Sequence, residues 1–231
     1  TSYTPYQPEI SQGTLQSIFE FQTLIARLTG MDIANASLYD GGTACAEAAI
    51  MACASSRKGK ILVSKSINPT SLEILKTYLK SQDLELVEVE MKDGQTDLED
   101  LKAKVDDETA GVIIQSPNFF GIIEDVEKAV EITHTGKKAA MILSTDPFSL
   151  GLLKTPGQMG VDIVVGEGQS LGLPLGYGGP YLGILATSDK FMRKIPGRLI
   201  GETVDEDVKR SYVLTLAARE QHIRREKATS N

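Results

Sequence analysis

The sequence contains little cysteine and little histidine. Its two cysteines, Cys45 and Cys53, both lie in an alanine-rich stretch. Two small thiols in such a stretch are typical of a reduced core, and their spacing favours neither a disulfide framework nor a metal pair. The two histidines, His134 and His222, stand far apart and outside any known spacing of zinc ligands. We therefore expect no metal site.

The sequence also lacks a basic surplus and a long apolar run. Its 31 acidic and 24 basic side chains give a net charge of -7, whereas proteins that track nucleic-acid backbones carry excess positive charge. No apolar run reaches the roughly 18 residues that cross a bilayer, and the first residues show neither a secretory core nor a transit segment. We expect no nucleic-acid or membrane partner, and a soluble, cytoplasmic protein.

Hydrophobic periodicity predicts alternating helices and strands. Hydrophobic side chains make up 41% of the chain and charged ones 24%, a balance that suits one buried core, so we expect one domain over residues 1–231. The predicted helices are Leu15 to Leu28 with Gly30 as the stop, Thr43 to Ala54, Pro69 to Leu79, a helix capped by Asp97, and Glu124 to Thr133; the predicted strands are Ile61 to Val63, Leu84 to Val89, Gly111 to Ile114, Ala139 to Leu143, Val161 to Val165 and Tyr181 to Ala186.

This alternation predicts an α/β fold. Strands separated by helices need crossover connections, so a mostly parallel sheet with helices on both faces is expected, in three layers. In such sheets ligands bind beyond the carboxyl ends of the strands. Turn and cap chemistry explains polar residues there equally well. The polar segments at those positions are Asp40 to Thr43, Ser116 to Asn118, Ser144 to Asp146 and Glu167 to Ser170.

Two glycine-containing segments are candidate binding loops. Asp40 to Thr43 precedes a helix, where glycines let an anion approach backbone N–H groups. It matches no phosphate-loop pattern, and Asp40 would repel a phosphate, so a capped turn is the favoured interpretation. The segment Gly166 to Gly179 is rich in glycine and has no histidine, cysteine or lysine. Ser170 within it lacks the context of a hydrolase nucleophile, so this loop is suited to binding without catalysis.

The last segment, Arg219 to Asn231, is densely charged. A solvated helical face is the usual explanation of such a run. Its arginines, beside hydroxyl and amide groups, are equally suited to an anionic ligand, because guanidinium groups pair bidentately with carboxylates and phosphates.

Several long stretches resemble the P protein of the glycine cleavage system. They are Tyr3 to Gly13, Asp146 to Leu153, Gly168 to Gly172 and Arg219 to Asn231, and the resemblance covers nearly the whole chain. Asp40 to Thr43 is most similar to the separate N-terminal chain, subunit 1. Because the sequence starts without Met and stops inside a motif that continues in the family, we expect an excised core of a longer chain. The resemblance implies the large domain of the aminotransferase-like, fold type I pyridoxal-phosphate enzymes.

The family's chemistry implies a role for this half. It starts from an imine between pyridoxal phosphate and a lysine of the C-terminal half. Aligned with that half through Gly160 to Asp162, this chain carries Ser170 in place of the lysine, so no catalytic residue is expected here. The resemblance implies a heterotetramer with a homologous lysine-bearing subunit that holds the cofactor. This assembly decarboxylates glycine and passes the aminomethyl group to the lipoyl arm of the H protein. The residues expected to face the partner's site are Arg219, His222, Arg224, Arg225 and Asn231, with Thr229 and Ser230 as contacts to the cofactor phosphate.

Other roles remain open at this stage. Asp146 resembles by position the aspartate that holds the pyridine nitrogen in such enzymes, but without the lysine a vestigial or structural role is expected. A purely architectural subunit, or one that docks the H protein, is the alternative to a role in the site. An independent pyridoxal-phosphate enzyme is disfavoured, because the nearest lysines, Lys154 and Lys190, have the wrong context.

Overall fold

The computed structural model describes residues 7–215. In chain order its α-helices and strands are α1 (Gln12–Thr29), β1 (Ile33–Ala34), α2 (Gly41–Ser56), β2 (Lys60–Ser64), α3 (Pro69–Ser81), β3 (Glu85–Val89), β4 (Met91–Lys92), β5 (Gln95–Thr96), α4 (Leu98–Lys104), β6 (Thr109–Gln115), α5 (Val126–Thr133), β7 (Ala140–Ser144), β8 (Ile163–Glu167), β9 (Gly183–Thr187), β10 (Leu199–Val204) and β11 (Arg210–Thr215). No helix in this part of the chain is long and apolar enough to span a membrane.

The main sheet is mostly parallel, as the alternation of helices and strands predicted. Its seven strands lie in the order β1-β9-β8-β7-β6-β2-β3. Neighbours from β8 to β3 pair in parallel, while β9 runs antiparallel to both β8 and β1. Connections that cross the sheet account for the parallel part, and the reversed strand lies near one edge.

Helices cover both faces of this sheet. One buried cluster joins α2 and α3 to strand side chains such as Ile61, Val63 and Ile113. The other joins α1, α4 and α5 to the alternate strand positions, such as Leu62 and Val112. Because successive strand residues point to opposite faces, the apolar runs of these strands fill both layers. The three-layer prediction is therefore confirmed.

Helix α2 is buried along most of its length, and its small side chains allow close packing. Cys45 and Cys53 lie in it with free thiols. Burial raises the pKa of Cys45 to about 12 and that of Cys53 to about 11. Both thiols therefore stay protonated near neutral pH, which suits the expected core role and removes their nucleophilic form.

The helices begin and end close to the cap and stop residues that the sequence predicted. Gly30 ends α1 with a left-handed φ of 68°, and the Asp97 side chain caps α4. Helix α5 starts at Val126 rather than Glu124, because Asp125 is its cap and accepts from the Lys128 N–H. The β8 and β9 strands start two residues later than predicted.

Two sets of strands were not predicted from the sequence. The hairpin of β10 and β11 forms its own two-stranded sheet. It packs on α1 through a small buried cluster that contains Leu15, Ile18, Ile200 and Tyr212. The two-residue strands β1, β4 and β5 were also missed, because strands so short are defined by pairing rather than by periodicity.

Candidate functional site

A cleft of about 560 Å³ opens at the carboxyl edge of the sheet. It lies between the amino ends of α2 and α3 and the segments that follow β7 and β8. Three of the four polar segments selected from the sequence contribute to it. Its lining residues are Asp40, Gly41, Gly42, Asn68, Thr70, Ser71, Ile74, Gln115, Ser144, Thr145, Asp146, Glu167, Gln169, Ser170 and Tyr181.

The amino end of α2 is capped by Asp40. The Asp40 carboxylate accepts from the Thr43 N–H at 2.7 Å, and the Thr43 hydroxyl accepts from the Asp40 N–H at 3.2 Å. This reciprocal capping box satisfies two main-chain donors. The structure thus shows the capped turn that the sequence favoured for this segment.

Glu167 joins three segments around the cleft. One carboxylate oxygen accepts from the Gly41 N–H at 2.9 Å. The other accepts from the N–H groups of Gln169 at 2.9 Å and Leu182 at 2.8 Å. The start of α2, the start of the glycine-rich loop and the entry to β9 therefore share one carboxylate.

Asp146 caps the turn that follows β7. Its side chain accepts from the Phe148 N–H at 3.0 Å and is exposed at the cleft wall. Behind it, the Thr145 hydroxyl donates to the Ser116 carbonyl at 2.7 Å. The Asp146 side chain therefore stabilises the turn at the strand end.

The amino end of α3 supplies residues that were not selected from the sequence. The Asn68 side chain accepts from the Thr70 N–H at 2.9 Å, and the Asn68 N–H donates to the Gln115 side chain at 2.8 Å. A cap residue followed by Pro69, a short turn after β2, was a usable signal, since it brings a helix start to the carboxyl edge.

Ser116 to Asn118 lies outside the cleft lining. The Ser116–Pro117 peptide bond is cis. The Asn118 amide donates to the Gly94 carbonyl and to the Glu124 carboxylate, both at 2.8 Å. This buried segment therefore performs the turn chemistry that was the alternative interpretation.

The cleft does not fit pyridoxal phosphate. Ser170 stands in its lining, and none of the described residues that line it is a lysine, arginine, histidine or cysteine. Lys154 pairs with Glu127 on the surface at 2.5 Å, and Lys190 pairs with Asp162 at the amino end of β8, the opposite edge of the sheet. These contacts provide no lysine for a cofactor at the cleft.

The residues predicted to face the partner's site belong to the segment Arg219 to Asn231. Arg219, His222, Arg224, Arg225, Thr229, Ser230 and Asn231 all lie outside the described residues.

Comparison with known proteins decides the family. The family model described as "Glycine cleavage system P-protein" matches residues 1–231. The chain belongs to this family. It is 59% identical over 231 residues to a Desulforamulus reducens protein and 60% identical to one from Moorella thermoacetica, both named "Probable glycine dehydrogenase (decarboxylating) subunit 1". It covers 52% of each, so the chain spans about half the length of these relatives.

Solved structures agree with the fold. A crystal structure of glycine decarboxylase (P-protein) matches the whole chain with a TM-score of 0.92 at 48% identity, and the chain covers 52% of that protein. A sphingosine-1-phosphate lyase from Burkholderia pseudomallei matches 90% of the chain with a TM-score of 0.65 at 13% identity, covering 52% of that protein. The expected fold type I architecture is therefore confirmed.

Proposed function

We propose that this chain is the part of a cytoplasmic glycine decarboxylase that lacks the cofactor lysine and completes the site of a partner. The partner is the homologous C-terminal P-protein subunit, which bears the lysine and holds pyridoxal phosphate. Together they decarboxylate glycine and transfer the aminomethyl group to the lipoyl arm of the H protein. When bound, the cofactor supplies an electron sink for loss of carbon dioxide.

The cleft lining carries this proposal. A fold type I sheet with Ser170, and no lysine, among the described residues of its cleft lacks the group that would hold the cofactor covalently. The names of the relatives support the assignment, since they describe a subunit 1 of a decarboxylating glycine dehydrogenase. A subunit without the cofactor lysine can take part in this reaction only together with a subunit that has the lysine.

The segment Arg219 to Asn231 is proposed to reach the partner's site. Its arginines and its hydroxyl groups are suited to a carboxylate or phosphate, because charge-assisted hydrogen bonds to such groups are strong and directional. Thr229 and Ser230 are the proposed contacts to the cofactor phosphate.

An architectural or H-protein-docking role is the second candidate. It is favoured by the exposed apolar side chains of the glycine-rich loop, such as Leu175 and Tyr177, because exposed apolar groups that lie close together mark contact surfaces. Substitution of these two residues would then weaken assembly or H-protein use and leave the turnover of the assembled pair intact.

A double substitution separates the two candidates. Arg224→Ala/Arg225→Ala in the full-length subunit, mixed with its lysine-bearing partner, is expected to lower glycine-dependent carbon dioxide exchange about tenfold or more, since each arginine offers charge-assisted bonds. Its thermal midpoint should stay unchanged. The control, Lys80→Ala/Lys102→Ala, removes two positive charges from exposed helix positions outside the cleft lining and should retain activity. Full exchange in the arginine variant would refute the active-site role.

A further inference from the structure

The amino end of α2 is a position that favours an anion. The helix has 16 residues and starts at the carboxyl edge of the sheet. Unpaired N–H groups and the helix dipole favour negative charge at such an end. Here the Gly41 N–H donates to Glu167 and the Thr43 N–H donates to Asp40. Two carboxylates of the chain itself therefore occupy the positive end of the helix.

We infer that Glu167 is a built-in anion, which fills the position that a cofactor phosphate would need and locks the glycine-rich loop to α2. This inference deepens the proposed function and rests on it only in assigning the cofactor to the partner. It makes Glu167 a positioning residue.

The close packing of Gly41 on the main chain of residues 166–167 supports this inference. A Cβ placed on Gly41 would lie 2.9 Å from the Glu167 nitrogen and 3.0 Å from the Gly166 carbonyl carbon. Both of these are main-chain atoms, which cannot rotate away as a flexible side chain would. The first turn of α2 thus packs directly on the end of β8. No phosphate group fits between α2 and β8, and on the cleft side, which Gly41 and Gly42 line, the Asp40 and Glu167 carboxylates would repel one.

The second part of the inference concerns the loop. Glu167 accepts from the N–H groups of Gln169, near the start of the loop, and of Leu182, just after the loop ends. Inside the loop, the Gln169 side-chain amide donates to the carbonyls of Gly178 and Pro180, both at 3.1 Å. The loop is therefore tied at its base and across its middle. The Tyr177 side chain, within this tied loop, is fully exposed.

The test is anion rescue in the full-length subunit. Glu167→Ala removes the carboxylate and leaves a space lined by three N–H groups. We expect the thermal midpoint to fall by roughly 5 °C. Hydrogen exchange should accelerate at Gln169 and Leu182. Formate, and to a lesser degree inorganic phosphate, should restore both, because a small anion then occupies the vacated position.

Two further variants make the rescue specific. Glu167→Gln replaces one carboxylate oxygen by an amide NH₂ group, so it should lose the bond to Gly41. Because the side-chain volume is kept, formate has no vacated position to occupy and should not raise the thermal midpoint. Glu131→Ala removes an exposed glutamate on α5 and should show only the general salt response of the wild type. Chloride at equal ionic strength separates anion binding from screening.

Rescue by formate in Glu167→Ala alone would support the inference. Wild-type stability in Glu167→Ala, or equal formate effects in all three variants, would overturn it. If the alanine variant fails to fold, the glutamine variant decides, and unchanged hydrogen exchange at Gly41 would then refute the lock. None of these readouts depends on decarboxylation, so failure of the proposed function would leave them unaffected.

Discussion

Val208 adopts a backbone conformation that is costly for its side chain. It lies in the turn between β10 and β11 with a φ of 62° and is 78% exposed. The Asp205 carboxylate accepts from the N–H groups of Asp207 and Lys209 at 2.9 and 2.8 Å, which fixes the turn. A β-branched residue in the left-handed region costs about 1–2 kcal/mol.

Val208→Gly is therefore expected to stabilise the protein. Relief of this strain outweighs the added freedom of glycine in the unfolded chain, for a net gain of about 0.5–1 kcal/mol. Urea unfolding measures the change. Val204→Gly is the matched control, since Val204 is also exposed but lies within β10. The control should lose stability, and a loss at both positions would contradict the strain argument.

Residue identity predicted the place of the site better than the contacts within it. The polar segments at Asp40, Asp146 and Glu167 were selectable because they follow or precede apolar runs. That Asp40 caps α2 also follows from local chemistry. That Glu167 accepts from Gly41 does not, because the two residues are 126 positions apart in sequence. Only the packing of α2 on β8 brings them together.

At the scale of elements, two glutamines of α1 hold the β10–β11 hairpin. The Gln12 amide donates to the Tyr212 carbonyl and accepts from its N–H, both at 2.9 Å. The Gln22 amide does the same for Ile200, at 3.1 and 2.9 Å. Each side chain thus takes the place of a neighbouring strand at one outer edge of the hairpin. This arrangement satisfies main-chain groups that would otherwise be open to pairing.

Gln22→Ala is expected to loosen the hairpin. Gln22 is buried, so its loss leaves the Ile200 N–H and carbonyl unpaired, at a cost of about 2 kcal/mol. Hydrogen exchange should accelerate over residues 199–215 more than in the main sheet. Gln16→Ala is the control, because the exposed Gln16 amide contacts Glu20 on the same helix. Equal protection of the hairpin in both variants would show that the Gln22 bonds contribute little.

The hairpin also explains the limits of the secondary-structure prediction. Central strands such as β7 are continuous apolar runs, buried on both faces, and were predicted within about two residues. Strand β10 has one buried residue, Ile200, among partly buried and exposed ones, and leads into the charged turn at 205–209. Its stability comes from α1, nearly 180 residues away in sequence, and local periodicity does not report such contacts.

At the scale of the whole molecule, the carboxyl edge has the composition that the proposed role beside a partner requires. The cleft is polar, carboxylate-rich and without a lysine among its described residues. The glycine-rich loop at its rim presents exposed apolar side chains, among them Leu175 and Tyr177. A site of this composition is suited to completion by a partner that brings the cofactor.

A pyridoxal-phosphate titration tests this account most directly. The full-length subunit, its lysine-bearing homologue and their mixture would be followed by the absorbance of lysine-bound cofactor and by glycine-dependent carbon dioxide exchange. We expect no absorbance band from this subunit alone, and exchange only in the mixture. A lysine-bound band in this subunit by itself would contradict the account, because it would show that Ser170 does not stand where the cofactor lysine belongs.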